Sequence, residues 1–172
     1  ALVDKTLNIL NNRAVELTFT TGFISTDLNG ILYRNTSSTD SYLFPLGSRT
    51  TGTLRFRPVT VVPKDNLENS FGLTFVNDDP SNQGLSRDRK RFDVNDVNPN
   101  YFHILDQKQG NSAADFNFFY DNPDDGNFNQ LVNWISFNLW EKAGISNPQP
   151  ITSVSNPGLN QQMTYSSIQT IS

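Results

Sequence analysis

Hydrophobic and polar residues alternate along most of this chain. A period of two is typical of β-strands that bury one face and expose the other. Phe71, Leu73 and Phe75, for example, fall on one face of one predicted strand. The pattern predicts strands at residues 6–10, 14–20, 23–26, 31–37, 71–76, 101–105, 114–120 and 163–171, and two more within residues 41–61. We therefore expect an all-β protein.

Turn-forming residues separate the predicted strands. Asn11 and Asn12 lie between the first two, and Asn29 is followed by Gly30, a pair that favours a tight turn. Such signals recur about every 8 to 15 residues, as expected of a sandwich or a barrel. The sequence thus predicts one domain over residues 1–172, an antiparallel β-sandwich of the Greek-key or jelly-roll kind with little helix and long surface loops.

Residues 130–144 fit two patterns. Leu131, Trp134 and Leu139 fall on one stripe of a helix. The same stretch also alternates as two short strands with a change of phase between them, which a bulge or a hairpin produces. We favour the strands.

Two stretches lack any regular pattern. Residues 77–100 and 146–158 are rich in Asn, Asp, Ser and Pro, which indicates surface loops. We find no convincing domain boundary, and the first of these loops is the best candidate for one. The chain does not begin with Met and shows no signal peptide, so we expect it to be a module excised from a longer protein.

Composition narrows the function classes. Charged residues make up only 17% of the chain and the net charge is -4, whereas a general nucleic-acid binder is more often basic. The absence of cysteine excludes disulfides and thiolate metal sites. A single histidine, His103, excludes a catalytic triad or a multi-histidine metal site within this chain, and we interpret it as a residue on a strand face. No apolar run is long enough for a spanning helix, so we expect no membrane insertion.

One loop invites a calcium interpretation. The stretch "DNPDDGN" places Asp121, Asp124 and Asp125 close together, and carboxylates are the ligands that Ca²⁺ prefers. It is not an EF-hand loop, because Pro123 and Val132 occupy ligand positions. The same residues also make an ordinary hairpin loop without an ion. We keep a structural calcium here as a hypothesis and predict no other cofactor.

Aromatic and basic residues suggest weaker candidates. Trp134, Trp140 and Tyr101 are residue types that a sugar-binding face uses, although core packing explains them as well. Residues 87–91 form the basic stretch "RDRKR", which suits an anionic glycan or lipopolysaccharide. Acidic neighbours favour a solvated, neutralised loop instead.

Evidence for an enzyme is lacking in the sequence. A glycosidase needs two paired carboxylates, and no spacing among the available acids singles out a pair. The acids considered are Asp106, Asp115, Asp121 and Glu141. We find no Gly-rich phosphate loop and no nucleophile elbow, so we predict no catalytic residues.

Three consecutive motifs carry a family resemblance. They are "LNGILYR" at residues 28–34, "YLFPLG" at residues 42–47 and "FRPVTV" at residues 56–61. Together they resemble a module of Bacteroidota secreted and cell-surface proteins with the patterns V-x-G-x-L-x-R, Y-x-F-P-V-G and Y-R-P-V-x-L. Weaker matches extend the resemblance over nearly the whole chain. The chain departs from the pattern at Leu46, Phe56 and Phe102, which are apolar replacements.

The resemblance implies an exported, non-catalytic β-sandwich. Such modules occur in large adhesins and enzymes exported by the type IX secretion system, some of them linked to gliding motility. The implied location is extracellular or at the cell surface, and the implied partners are the secretion machinery, neighbouring domains of the parent chain and, as a further candidate, a surface glycan. The matched positions are structural residue types, namely Gly30, Phe44, Pro45, Gly47, Arg57 and Pro58.

Elementary chemistry assigns these positions structural roles. Gly30 and Gly47 are expected to take positive φ at turns. Pro45 is expected to end a strand, and Pro58 to lie on an edge strand or at a bulge, because proline cannot donate to a sheet ladder. Arg57 is expected to bind a carboxylate or loop carbonyls.

Several other functions stay open at this point. A carbohydrate-binding module predicts an exposed aromatic platform, an enzyme predicts two facing carboxylates, and a jelly-roll viral coat protein predicts a large self-association interface. Fold resemblance does not decide among them, because function depends on sites placed on folds.

Overall fold

A computed structural model shows a protein built of strands. It describes residues 5–17, 22–27, 29–50, 52–121, 125, 130–143, 149–150 and 161–167. Short 3-10 helices lie at Ala14–Glu16 and Pro80–Gln83. The strands are β1 (Thr6–Ile9), β2 (Ile31–Thr36), β3 (Tyr42–Phe44), β4 (Gly47–Ser48), β5 (Arg55–Phe56), β6 (Val59–Pro63), β7 (Asn69–Val76), β8 (Phe102–Gln109), β9 (Ala114–Tyr120), β10 (Val132–Ile135), β11 (Leu139–Lys142), β12 (Gln149–Pro150) and β13 (Gln161–Ser167).

Two main sheets enclose the core. One has the strand order β1-β2-β7-β8 and the other has the order β12-β13-β9-β6-β3. The buried side chains of both sheets belong to one hydrophobic cluster. Phe71 of β7 meets Phe116 of β9 edge to face, with ring centroids 5.9 Å apart. The predicted all-β sandwich is therefore confirmed, and its strand pairs are antiparallel except for β1 and β2.

The prediction of a strand at residues 14–20 is wrong where the structure describes it. Ala14–Glu16 forms a 3-10 helix, and residues 18–20 lie outside the described part of the chain. The reason is that β1 runs parallel to β2, so Asn11 and Asn12 do not close a hairpin. The carbonyls of this connection bond to buried side chains instead of a ladder: the Arg34 guanidinium donates to Arg13 and Ala14, and the Tyr42 hydroxyl donates to Asn12.

The predictions for residues 130–144 and for the loop at residues 77–100 have different outcomes. Residues 130–144 contain the hairpin of β10 and β11, so the strand prediction is confirmed there. Residues 77–100 contain no strand, as predicted for a loop, but they are not wholly at the surface. Val94 and Val97 are buried against Trp140 of β11 in a second hydrophobic cluster. Apolar side chains within the irregular stretch thus hold it to the hairpin.

Most of the second predicted loop, residues 146–158, lies outside the described residues apart from β12, and so do residues 168–171 of the last predicted strand. Within the described chain, no helix is long and apolar enough to cross a membrane.

Candidate functional site

The family-like motifs meet at a corner where a long hairpin changes sheets. β3 pairs with β6 in the main sheet, whereas β4 pairs with β5 in a separate two-stranded sheet. Pro45 lies between β3 and β4, and Pro58 lies between β5 and β6, so both prolines occupy the break in the ladder. A proline inside either strand would remove a ladder donor, whereas a proline at the break removes none. We call residues 44–47 and 56–58 the proline corner.

Backbone carbonyls of the proline corner are satisfied from outside the hairpin ladder. Ile24 donates its N–H to Pro45 O at 2.7 Å, and Phe119 donates to Pro58 O at 3.2 Å. The Arg57 N–H closes the break by donating to Leu46 O at 2.9 Å. Phe44 and Leu46 are completely buried beneath these bonds. The corner is therefore a buried junction that is hydrogen-bonded to Ile24 and to β9.

Gly47 has a different role from the one expected. Its φ is not positive, and a Cβ built there would lie 2.7 Å from Arg55 O and 2.7 Å from the Phe23 ring. The residue is glycine because a strand and an aromatic ring approach its backbone closely. At the other predicted turn, Asn29 has the positive φ, 66°, and the Gly30 carbonyl accepts a hydrogen bond from Thr74. The expected positive φ is therefore wrong at both Gly30 and Gly47.

A buried ion pair joins the proline corner to the loop after β9. Arg57 donates from Nε and Nη2 to the two carboxylate oxygens of Asp125, at 2.6 and 2.7 Å, and from Nη1 to Phe56 O at 2.7 Å. Side-chain exposure is 8% for Arg57 and 1% for Asp125. Burial opposes the charge of Arg57, but the hydrogen bonds and charge of Asp125 outweigh it and raise the guanidinium pKa. Arg57 therefore binds both a carboxylate and a carbonyl, as its residue type suggested.

The same pair bears on the calcium hypothesis. Beyond Arg57, the Asp125 carboxylate also accepts from the Tyr101 hydroxyl at 3.1 Å and from the Asp121 N–H at 3.0 Å. A calcium ion at Asp125 would have to displace these donors. Asp124 lies outside the described residues, and the described part of the chain holds no group of three or more potential metal ligands.

His103 lies under the corner with an ordinary structural contact. Its Nε2 is 3.1 Å from Arg57 O, which fits a neutral ring donating to that carbonyl. The rings of Phe75 and Phe118 lie 5.2 and 5.1 Å away. Burial lowers the His103 pKa to about 4. The ring is therefore uncharged at neutral pH.

Tyr101 packs against His103 and its neighbours. Its ring packs against Phe75 and His103, with centroids 5.4 and 5.9 Å away, and the Arg57 guanidinium lies 5.7 Å from its centroid. Burial, followed by the charge of Asp125, raises the pKa of the hydroxyl. Both the ring and the hydroxyl of this sugar-binding candidate thus already have partners.

The two tryptophans form a pair in the second hydrophobic cluster. Their ring centroids are 5.3 Å apart and the planes meet at 68°. Trp140 is buried and donates from Nε1 to Leu85 O at 3.4 Å, whereas Trp134 is only partly buried. The rings do not make a flat platform, so of the pair only the free part of Trp134 is open to stacking by a ligand.

Two arginines of the basic loop form ion pairs with acidic side chains nearby. Arg87 contacts Asp79 at 3.0 Å and Asp96 at 3.5 Å, and Arg91 contacts Glu141 at 3.2 Å. These pairs neutralise charge that a polyanion would otherwise use.

The acids considered for hydrolysis are held by different partners. Asp106 accepts from the Tyr33 hydroxyl on the first sheet, and Asp115 is paired with Lys64 on the second. Glu141 binds Arg91, and the Asp121 backbone binds Asp125. These contacts bring none of the four candidates together as a catalytic pair.

Arg34 is a residue that sequence reasoning left without a role. It is completely buried in β2, donates to the carbonyl of Leu43 in the opposite sheet at 2.8 Å, and lies 5.3 Å from the Tyr42 ring. Burial lowers its pKa. Strand alternation contained the signal, because Arg34 is two residues after Leu32 and must share its inward face.

Searches of family models, curated proteins and solved structures found no match to this chain.

Proposed function

We propose that this chain is a non-catalytic structural or adhesive module of a bacterial protein exported to the cell surface. The resemblance of its Y-x-F-P-x-G and R-P-V motifs to modules of type IX secretion cargo supports export. Its partners would be the secretion machinery and neighbouring domains of the parent chain, and its location would be extracellular.

One observation carries the non-catalytic part of the proposal. The motif residues have structural contacts: Phe44 fills the core, Pro45 and Pro58 lie at the break in the ladder, and Arg57 binds the buried Asp125. Modules that share residues for structural reasons share a fold, and a shared fold does not imply a shared catalytic activity.

A carbohydrate-binding module is the second candidate. Trp134 favours this candidate, because it lies in the hairpin of β10 and β11 and its side chain is only partly buried. An exposed indole face can stack on the C–H face of a sugar ring. A structural calcium at the loop that contains Asp125 would belong with this candidate, since ions often order binding loops.

A glycan array on the isolated chain, with and without calcium, tests both candidates. The Trp134→Ala variant removes the candidate sugar contact, and Phe137→Ala on the same hairpin is the matched control, because Phe137 is 76% exposed. Thermal melts of each protein establish that it is folded, and a panel of glycoside and ester substrates tests for turnover.

Each outcome separates the candidates. A cooperative melt without glycan binding or turnover supports a structural module. Saturable binding to one sugar class, lost in Trp134→Ala and kept in Phe137→Ala, replaces it with the carbohydrate-binding candidate. Enzyme-dependent turnover of any substrate overturns the non-catalytic proposal.

A further inference from the structure

Arg34 carries a positive charge inside the sandwich without a carboxylate partner. It is completely buried, and no acidic side chain of the described residues lies within ion-pair distance of it. Nη1 donates to Leu43 O at 2.8 Å, and the guanidinium lies 5.3 Å from the Tyr42 ring centroid. Nη2 reaches Arg13 O and Ala14 O only at 3.4 Å. A buried charge is costly unless it is both paired and hydrogen-bonded.

Arg57 shows what the corresponding edge of a guanidinium does when an anion is beside it. Its Nε and Nη2 donate side by side to the Asp125 carboxylate, at 2.6 and 2.7 Å. In Arg34, by contrast, Nε makes no hydrogen bond within the described part of the chain, and the contacts of Nη2 are long. The Nε–Nη2 edge of Arg34 therefore presents donors in the geometry that binds an anion.

A second unpartnered polar atom faces the same interior. Thr36 follows Arg34 by two residues on β2 and is also completely buried, so both side chains point into the core. The Thr36 Oγ1 makes no hydrogen bond within the described residues. Asn69 lies opposite Thr36 in the sheet, but its amide donates to Leu67 O and to Ser112 Oγ. Two such atoms on one buried face indicate a bound water or ion, because buried polar groups nearly always have a partner.

We propose that a small inorganic anion of the halide class binds in the core, held by Arg34 Nε and Thr36 Oγ1. A water molecule would complete the hydrogen bonds but would leave the charge of Arg34 without an anion. A halide accepts from both groups and has no hydrogen that would itself need an acceptor. Leu32, the preceding inward residue of β2, is apolar and offers no donor for the additional oxygens of a sulfate or phosphate.

The proposed anion is a structural ligand of the sandwich. Burial lowers the pKa of Arg34, and a bound anion would offset that effect by favouring the charged guanidinium. The inference goes beyond the proposed function and holds whether or not the module is exported.

Thermal melts of the whole chain test the proposal. Sodium chloride replaces sodium gluconate at constant ionic strength, and the melting temperature of the wild type is expected to rise with the logarithm of the chloride concentration. The rise should be about 3–6 °C for each tenfold increase above the dissociation constant. Thr36→Val keeps the shape of the side chain and removes its hydroxyl, so it should lose this dependence. Thr74→Val is the matched control and should keep it, because Thr74 is also buried but its Oγ1 already donates to Gly30 O at 2.7 Å.

Crystals of the wild type grown in sodium bromide give a readout that needs no variant. Anomalous scattering is expected to place a bromide within hydrogen-bonding distance of Arg34 Nε and Thr36 Oγ1. Bromide at the surface alone, that is, an adventitious ion only, would overturn the proposal, and so would a water molecule or a carboxylate of the chain at Arg34 Nε. In the melts, a chloride dependence that is absent from the wild type, survives in Thr36→Val or is equal in all three proteins would overturn it as well.

Discussion

Arg57 shows how one side chain can hold three separate pieces of a fold. Its guanidinium binds Asp125 in the loop after β9, its own carbonyl receives His103 of β8, and its N–H closes the hairpin break at Leu46. A buried carboxylate such as Asp125 is tolerated only while its charge is paired and hydrogen-bonded. The residue type matters as well as the charge, because only a planar fork gives two parallel bonds.

We expect Arg57→Lys to destabilise the protein by about 2–4 kcal/mol, since an ammonium cannot make both carboxylate contacts and Asp125 would lose bonds in a buried site. Urea unfolding at neutral pH measures the change. Arg91→Lys is the control: Arg91 is half exposed in its ion pairs, so we expect a change within about 0.5 kcal/mol. Equal losses in both variants would contradict a special role for the buried pair.

His103 gives the protein a pH dependence with a defined sign. Its pKa is lowered by burial from 6.5 to about 4, so the unfolded chain takes up a proton at a higher pH than the folded chain. The stability that the neutral ring contributes is therefore complete above pH 6.5 and is lost as the pH falls towards 4. We expect His103→Gln, which keeps an N–H donor for Arg57 O, to lose less stability than the wild type between pH 7 and pH 4.5. Urea unfolding at both pH values measures the difference, and parallel losses would show that another group is responsible.

At the scale of elements, the proline corner lets one hairpin serve two sheets. β3 and β6 belong to the sandwich, whereas β4 and β5 leave it, and the residues between them bond to Ile24, His103 and Phe119. The chain needs a glycine where this exit brings the backbone of Arg55 and the ring of Phe23 together. Prolines protect the exit because they leave no ladder donor without a partner.

We expect Gly47→Ala to loosen the corner, because its Cβ would lie 2.7 Å from a backbone oxygen. The cost is expected to be about 1–3 kcal/mol, typical of overpacking. Amide hydrogen exchange gives the local readout: the N–H groups of Ile24 and Arg57, which bond across the corner, should exchange faster. Gly52→Ala is the control, since its Cβ would meet nothing within 4 Å and only its positive φ of 84° opposes the change. It should leave the exchange of those two amides unaltered, and accelerated exchange in both variants would argue against steric contact as the cause.

At the scale of the whole molecule, most buried apolar side chains of the described residues form two clusters with no buried member in common. The larger one lies between the main sheets, and the smaller one joins Val94 and Val97 of the long loop to Trp140 of β11. Small clusters under loops open at lower free energy than the main core of a domain. The long loop and its hairpin are therefore expected to be the first part of the molecule to open.

Both tryptophans of the chain report on the smaller cluster. We expect the tryptophan fluorescence transition in urea to precede the far-ultraviolet circular dichroism transition, which follows the sandwich. Phe71→Leu, in the main core, should lower the midpoint of the dichroism transition more than that of the fluorescence transition. Coincident transitions in both proteins would mean that the two clusters unfold as one unit.

Sequence patterns predicted many of the local elements, although residues 23–26 make only an isolated bridge at Ile24 instead of the predicted strand. Alternation of apolar and polar residues is visible within a single run, so it was enough to predict three elements. These are the strands at residues 71–76 and 114–120 and the hairpin within residues 130–144. Residues 14–20 alternate just as clearly, yet Ala14–Glu16 is a 3-10 helix, since its backbone bonds to Arg34 instead of to a neighbouring strand. A pattern specifies which face of a strand is apolar but not whether a partner strand is available.

What the sequence by itself determined is an all-β chain with glycine and proline between its strands, because periodicity and turn chemistry act over a few residues. Tertiary structure alone decided the parallel pairing of β1 with β2 and the division of one hairpin between two sheets. It also decided that Arg57 meets Asp125, 68 residues later, and that Phe92 faces solvent while Trp140 does not. These features depend on contacts between distant parts of the chain, and local pattern carries no information about which distant groups will meet.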